Sequence, residues 1–273
     1  MDIETLSGIE PWEWPEDAGE VILSVLRDRR AAAADRVLAA ELGGDIAVVS
    51  DEMAGALLSI LRRGDEPEDL RGQAAIALGP ALEYADTQGF DDPDDTPITE
   101  RMFQEINESL RTLYRDAGVP TFVRRRILEG SVRAPQKWHE GAVRAAWASE
   151  EEDWKLTAVF CMTYVHGFER EIVAALKSPN PDIHYQAVSA ASAWSVAAAW
   201  KHVAALVADD ETEKDLRLAA IDAVASIRPD KADEVLGDLL DSGDEEIVEA
   251  AKEAMTMAGV LSGDDDEEDE LGD

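Results

Sequence analysis

The chain has 273 residues, of which 60 are Asp or Glu and 25 are Lys or Arg, a formal net charge of −35. So negative a protein repels a phosphate backbone, which argues against nucleic acid as a partner. A single cysteine, Cys161, excludes an internal disulfide, and no apolar run reaches the roughly 18 residues of a membrane-spanning helix.

In chain order, the start MDIETLSGIEPWEW is acidic and lacks the basic end and apolar run of a signal peptide, so the expected location is a reducing cytoplasm. Residues 1–16, with Trp12 and Trp14 between Pro11 and Pro15, read as a segment folded over the apolar end of the first helix pair. From 17 to 260 one pattern recurs. A short apolar helix ends near a large residue (Leu26, Ile60, Leu113, Trp147, Leu176, Leu206 or Leu240), and 7 to 10 positions later a second helix begins its stripe. The second-helix stripes are Ala33/Val37/Ala40/Gly44, Leu70/Ala74/Ala77/Ala81, Val123/Ile127/Gly130/Ala134 and Trp154/Ala158/Cys161/Val165, then Ile183/Ala187/Ala190/Trp194, Leu216/Ala220/Ala223/Ile227 and Ile247/Ala251/Ala254/Ala258. Offsets of 0, 4, 7 and 11 put each set on one helix face.

Successive anchors lie 37, 53, 31, 29, 33 and 31 residues apart, and the widest gap holds an insertion. That insertion, residues 86–99 (DTQGFDDPDDTPIT), reads as an acidic loop. Counted from Asp92 it places Asp94 and Thr96 at calcium-loop spacing. Pro97 stands where the glycine is needed and Phe103 where the terminal glutamate is, so it fails as an EF-hand. Residues 261–273 have almost no apolar content and read as a disordered acidic tail.

Small alanines in the stripe let helix axes approach, and one helix pair cannot bury its apolar face alone, so pairs must stack. Asp69, Asp182 and Asp215 fall where an acid would cap the second helix, and Pro179 and Pro181 stop the helix before it. The expectation is an all-α protein, a right-handed α-solenoid of about seven helical hairpins.

The run D-L-R-G-Q-A-A-I-A-L from Asp69 and the run D-L-R-L-A-A-I-D-A-V from Asp215 resemble the HEAT-like repeat, particularly its phycobilisome-lyase type. The first unit lacks the D-x-R signature and the second is followed by the insertion. The resemblance implies a protein-interaction scaffold binding another protein along the concave face of the solenoid, and since no Ser–His–Asp arrangement, glycine-rich phosphate loop or paired metal motif stands out, no cofactor or metal is expected. The alternative it implies is a HEAT-repeat enzyme, such as a lyase, with a pocket of its own.

The acidic excess is spread over the chain, since Asp264–Glu270 supplies only seven of the charges, and just 7 of the 25 cations are Lys. Dispersed charge with scarce lysine points to adaptation to molar salt; an acidic face for a basic partner is the alternative.

Four constellations bear on chemistry. His139–Glu140 is a single His-Glu pair, whereas the HEAT-like iron hydroxylases that this fold resembles use several, so a surface histidine is expected. Trp147 and Trp154 bracket the acids Glu150–Asp153 but occupy repeat positions that suit packing. Arg124, Arg125, Arg126, Arg133 and Lys137 form a basic stretch against one acid, Glu129, and are expected to neutralise the acidic turn Glu150–Asp153 of the next repeat. The fourth is a ridge at offsets 2, 6 and 9 of the second helices, opposite the stripe. It carries Asp35, Arg125, Glu249 and Glu253 toward its ends but Leu156, Phe160, Tyr185 and Leu218 in the middle. An apolar strip at positions expected to face solvent marks Leu156, Phe160, Tyr185, Leu218 and Arg125 as candidate partner-binding residues.

Overall fold

The computed structural model describes residues 2–91 and 96–261, and among these every regular element is a helix. Asp92 and Asp94 of the calcium-like spacing, and the acidic tail from 262, lie outside the described residues. The chain divides into two compact units, Met1–Ala146 and Trp147–Asp273.

Unit 1 holds α1 (Ile3–Ser7), α2 (Ala18–Arg27), α3 (Ala33–Leu42), α4 (Asp51–Arg62), α5 (Glu68–Ala77), α6 (Gly79–Gln88), α7 (Glu100–Arg115), α8 (Thr121–Ser131) and nearly all of α9 (Lys137–Trp147). The hairpins are α2/α3, α4/α5 and α7/α8, and their second helices stack in order, α3 on α5 and α5 on α8. The core follows the predicted periodicity: Leu57, Leu58 and Leu61 of α4, Leu70 and Ala74 of α5, and Val123 and Ile127 of α8 are all 0–1% exposed. Each buried leucine contributes roughly 1.5–3 kcal/mol. Ahead of these pairs, α1 packs on α2 and α3 and buries Ile3 and Leu6. Trp14 Nε1 donates to the carbonyls of Leu6 (3.1 Å) and Ile9 (3.0 Å), which holds the segment down, while Trp12 is 80% exposed.

Unit 2 continues with α10 (Glu152–Met162), α11 (Glu169–Ala175), α12 (Pro181–Ala193), α13 (Trp200–Ala208), α14 (Lys214–Ile227), α15 (Ala232–Leu236) and α16 (Glu245–Met257), with a 3-10 turn at Gly237–Asp241 extending α15. Here α11/α12, α13/α14 and α15/α16 form hairpins, and α10, α12, α14 and α16 stack in sequence. Seven second helices (α3, α5, α8, α10, α12, α14 and α16) thus fall on the seven predicted stripes.

The arginine of the D-x-R motif has a structural job. Arg71 Nε donates to the Leu61 carbonyl (3.0 Å) and Arg217 Nε to the Val207 carbonyl (3.1 Å), each in the last turn of the preceding first helix. A cation there satisfies an otherwise unpaired carbonyl and suits the negative end of the helix dipole. Arg36 does the same for Leu26 (3.2 Å), again ten residues upstream, so the first repeat has the motif's arginine without its leading sequence. Its true register is two residues later than the stripe from Ala33 suggests, and Ala33 is exposed.

Three local expectations are corrected. Asp69, Asp182 and Asp215 lie inside the first turn; the caps are Pro67, which has no capping side chain, Asn180 and Glu213. The insertion starts as helix, because α6 carries the chain to Gln88, and Asp51 then receives hydrogen bonds from Thr99 N (2.8 Å) and Oγ1 (2.7 Å). Ala225, at offset 9 of α14, is only 8% exposed instead of facing solvent. A second helix is flanked by the preceding second helix, the following one and its own first helix, so less of its circumference stays open than a single hairpin allows.

Candidate functional site

The ridge residues part company in the structure. Arg125 lies on α8 in unit 1 and is 9% exposed, so it does not stand on an open surface. Leu156 and Phe160 on α10, and Leu218 on α14, are half-buried, while Tyr185 on α12 is 39% exposed. Two of these, Tyr185 and Leu218, meet across a groove of about 540 Å³ between the N-terminal halves of α12 and α14. From α12 come Pro181, Asp182 and Tyr185; from α14 come Leu216, Leu218 and Ala219, with Glu213 and Asp215 at its start.

Leu216 was expected in the core stripe and is half-buried in this groove. The equivalent first-turn residues Leu70, Val123, Ile183 and Ile247 are buried, so position in the helix does not account for the exposure of Leu216. What differs at Leu216 is the neighbouring helix start, where the α12/α14 groove opens.

The electrostatics of the groove follow from its caps. Asn180 Oδ1 accepts from the amides of Asp182 (2.9 Å) and Ile183 (3.2 Å), and a Glu213 carboxylate oxygen accepts from Leu216 N (3.1 Å). Both helix starts are therefore already capped by their own side chains, and acids occupy their first turns. Lys214 and Arg217 lie beside the groove in sequence, but their charges are spent elsewhere. Lys214 Nζ pairs with Asp244 (2.9 Å) and Glu246 (2.5 Å), and Arg217 reaches Asp210 (2.8 Å) as well as Val207. The rim of Asp182, Glu213 and Asp215 stays acidic and exposed.

The other constellations resolve differently. His139, expected at the surface, is 0% exposed. Its Nδ1 accepts from Gln136 N (2.8 Å), so Nε2 carries the hydrogen and donates to Ser131 Oγ (3.0 Å), whose own hydroxyl donates to Leu128 O (3.2 Å). Burial pushes its pKa down to about 4, and it ties the end of α8 to α9 as a neutral imidazole. Glu140 is exposed and bonds Arg144 (3.1 Å), so the His-Glu pair does not converge on one point. In the basic stretch, Arg126 pairs with Glu129 (2.8 Å) and Arg133 with Glu83 on α6 (2.7 Å). Trp147 and Trp154 are half-buried and Cys161 is buried.

Two features had no sequence signal. His184 on α12 and His202 on α13 face each other with Nε2 atoms 2.6 Å apart, one donating the single hydrogen that the other accepts. Burial lowers both pKa values; the partner imidazole adds to the shift at His184 and Lys177 to that at His202. In unit 1, Glu66 sits between Arg36 (2.6 and 3.2 Å), Arg29 (3.6 Å) and Arg63, and the Arg36 hydrogen bond holds its pKa below the usual carboxylate value. Among the described residues no group of three or more His, Cys, Asp and Glu side chains is placed to hold a metal, and no helix is long and apolar enough to cross a membrane.

Comparison with known proteins bears on the fold. The structure of YibA from Escherichia coli aligns with a TM-score of 0.50 at 17% identity, over 93% of this chain and 86% of that one. The fold is a HEAT-like helical repeat. Human deoxyhypusine hydroxylase, solved in complex with glycerol, aligns with a TM-score of 0.41 at 17% identity over 95% and 89% of the two chains. No protein-family model and no curated protein matches the sequence.

Proposed function

We propose that this HEAT-like protein is an interaction scaffold that docks another protein on the second helices of unit 2. The observation that carries the reading is the α12/α14 groove, where Tyr185 and Leu218 come together with an acidic rim. Helical repeats bind along surfaces to which successive units each contribute a few side chains. The half-buried Leu156 and Phe160, on the helix that packs against α12, extend the same strip by one repeat. A salt-rich working environment fits the dispersed acidic excess, because screening reduces self-repulsion while apolar contacts persist.

A photo-reactive phenylalanine analogue in place of Tyr185, activated in cells, tests the scaffold reading. The expected outcome is one discrete crosslinked protein, absent when the same analogue replaces the exposed Tyr84 of unit 1. Equal crosslinking from both positions, or none from position 185, sinks the reading.

A further inference from the structure

The chemistry of the groove narrows its occupant. Its lining combines an exposed phenol, Tyr185, with the half-buried Leu216, Leu218 and Ala219, and its volume of about 540 Å³ suits one large apolar side chain and its neighbours. Around that floor stand Asp182, Glu213 and Asp215, exposed and acidic. The two nearest cations in sequence are engaged away from it: Lys214 by Asp244 and Glu246, and Arg217 by Asp210 and the Val207 carbonyl. An anion is disfavoured, because the amides at both helix starts have caps from Asn180 and Glu213 and the flanking side chains are carboxylates. A second copy of this chain, at a net charge of −35, meets general repulsion.

We infer that the α12/α14 groove takes a short segment of another protein in which Lys or Arg residues flank one large apolar or aromatic anchor. The anchor packs against Tyr185 and Leu218, and the flanking cations meet Asp182, Glu213 and Asp215. The inference rests on the scaffold reading and adds the chemistry of the partner. Anchors of this type carry most of the energy of such contacts, and rim charges set approach and selectivity.

The test uses the full chain and three fluorescein-labelled synthetic 12-residue peptides in anisotropy titrations at moderate and high salt. One is basic with a central Trp, one equally basic with a central Ala, and one acidic with the central Trp. The Trp-anchored basic peptide is expected to bind about tenfold more tightly than its Ala counterpart. Tyr185→Ala and Leu218→Ala should remove that advantage, while Tyr84→Ala leaves it. Asp182→Asn, at an exposed position, should weaken both basic peptides with little change in the melting temperature, which keeps the test valid if a groove variant folds poorly.

Basic peptides that bind equally with either centre, insensitive to Tyr185, would mean bulk attraction to an acidic protein and overturn the inference. Equal binding of the acidic Trp peptide would remove the role of the rim. A dimer in sedimentation that Tyr185→Ala dissolves would make a second copy the occupant and overturn it too. A crosslinked partner at position 185 without preference for the anchored basic peptide leaves the scaffold reading standing and removes only this chemistry.

Discussion

The two units stack the same repeat in different ways. In unit 1 the second-helix contacts use glycine: a Cβ at Gly130 would lie 2.1 Å from the Ala75 carbonyl oxygen, and one at Gly44 would lie 2.7 Å from that of Ala77. In unit 2, α10, α12, α14 and α16 contain no glycine, and the contacts are made by alanines such as Ala187, Ala190, Ala220 and Ala223, all 0% exposed. Glycine lets backbone touch backbone, whereas alanine keeps a methyl between the helices. Unit 1 adds a buried ion cluster at Glu66 and a buried neutral histidine, both of which pin neighbouring elements. Unit 2 has its groove between the starts of two second helices, whereas the clefts of unit 1, of about 380, 520 and 430 Å³, lie beside Ile60, Ile98 and Trp14. One repeat pattern can therefore be stacked through backbone contact or through a layer of methyls, and unit 1 adds buried polar ties to the first arrangement.

The sharpest way to break this comparison is at Glu66. Glu66→Ala leaves Arg36 buried without its carboxylate, and removing one partner of a buried pair costs roughly 3–5 kcal/mol. Hydrogen exchange should show α3–α5 losing protection while α12–α14 keep theirs. Equal loss in both units would show that they unfold together and that the contrast has no energetic meaning.

Acid should act next, again on unit 1. The folded pKa of His139 is about 4, below its ordinary value of 6.5. The unfolded chain therefore takes up a proton first as pH falls. The stabilisation is complete above 6.5, declines between 6.5 and 4, and is gone below that. The linked loss is roughly 3 kcal/mol. Acid also relieves carboxylate repulsion, so the measured quantity is the difference between the wild type and His139→Gln from pH 7.5 to 4. A difference that does not change with pH would mean His139 protonates in the folded protein.

Gly130→Ala tests the close contact itself. The gain in helix propensity, about 1 kcal/mol, is outweighed by forcing a methyl against the Ala75 carbonyl, for a net loss of roughly 2 kcal/mol. Ala190→Gly in α12 should also lose stability, by about 2 kcal/mol, because helix propensity falls and a buried methyl is removed. A stabilised Gly130→Ala in thermal melts would mean that the unit 1 stack is not held at backbone contact.

The smallest expected effect is that of salt. Raising KCl to 1 M shortens the Debye length to about 3 Å and should raise the melting temperature modestly, with both units gaining alike. A gain confined to unit 2 would assign the acidic excess to the groove face instead of to the whole surface.

How much of the molecule was legible in the chain depends on the range of each interaction. The seven stripes, their alanines and their alternation with first helices set the all-α repeat fold, because helix period and side-chain size are local properties. The arginine of the D-x-R motif could be read as a repeat marker, but its carbonyl partner ten residues upstream is visible only once the hairpin closes. Tyr185 and Leu218 stood out as apolar residues at outward offsets; their meeting in one groove depended on the spacing between α12 and α14. Arg125 and Ala225 are buried on helices that stack on other second helices, and His139 is buried against the end of α8, contacts that no count of offsets within one helix contains. The pairing of Glu66 with Arg36 across 30 residues, and of His184 with His202 across 18, likewise left no local trace. Sequence determined which helices form and which face each buries first. Tertiary structure decided which of the remaining faces stay open, because that depends on how closely each helix meets its successor.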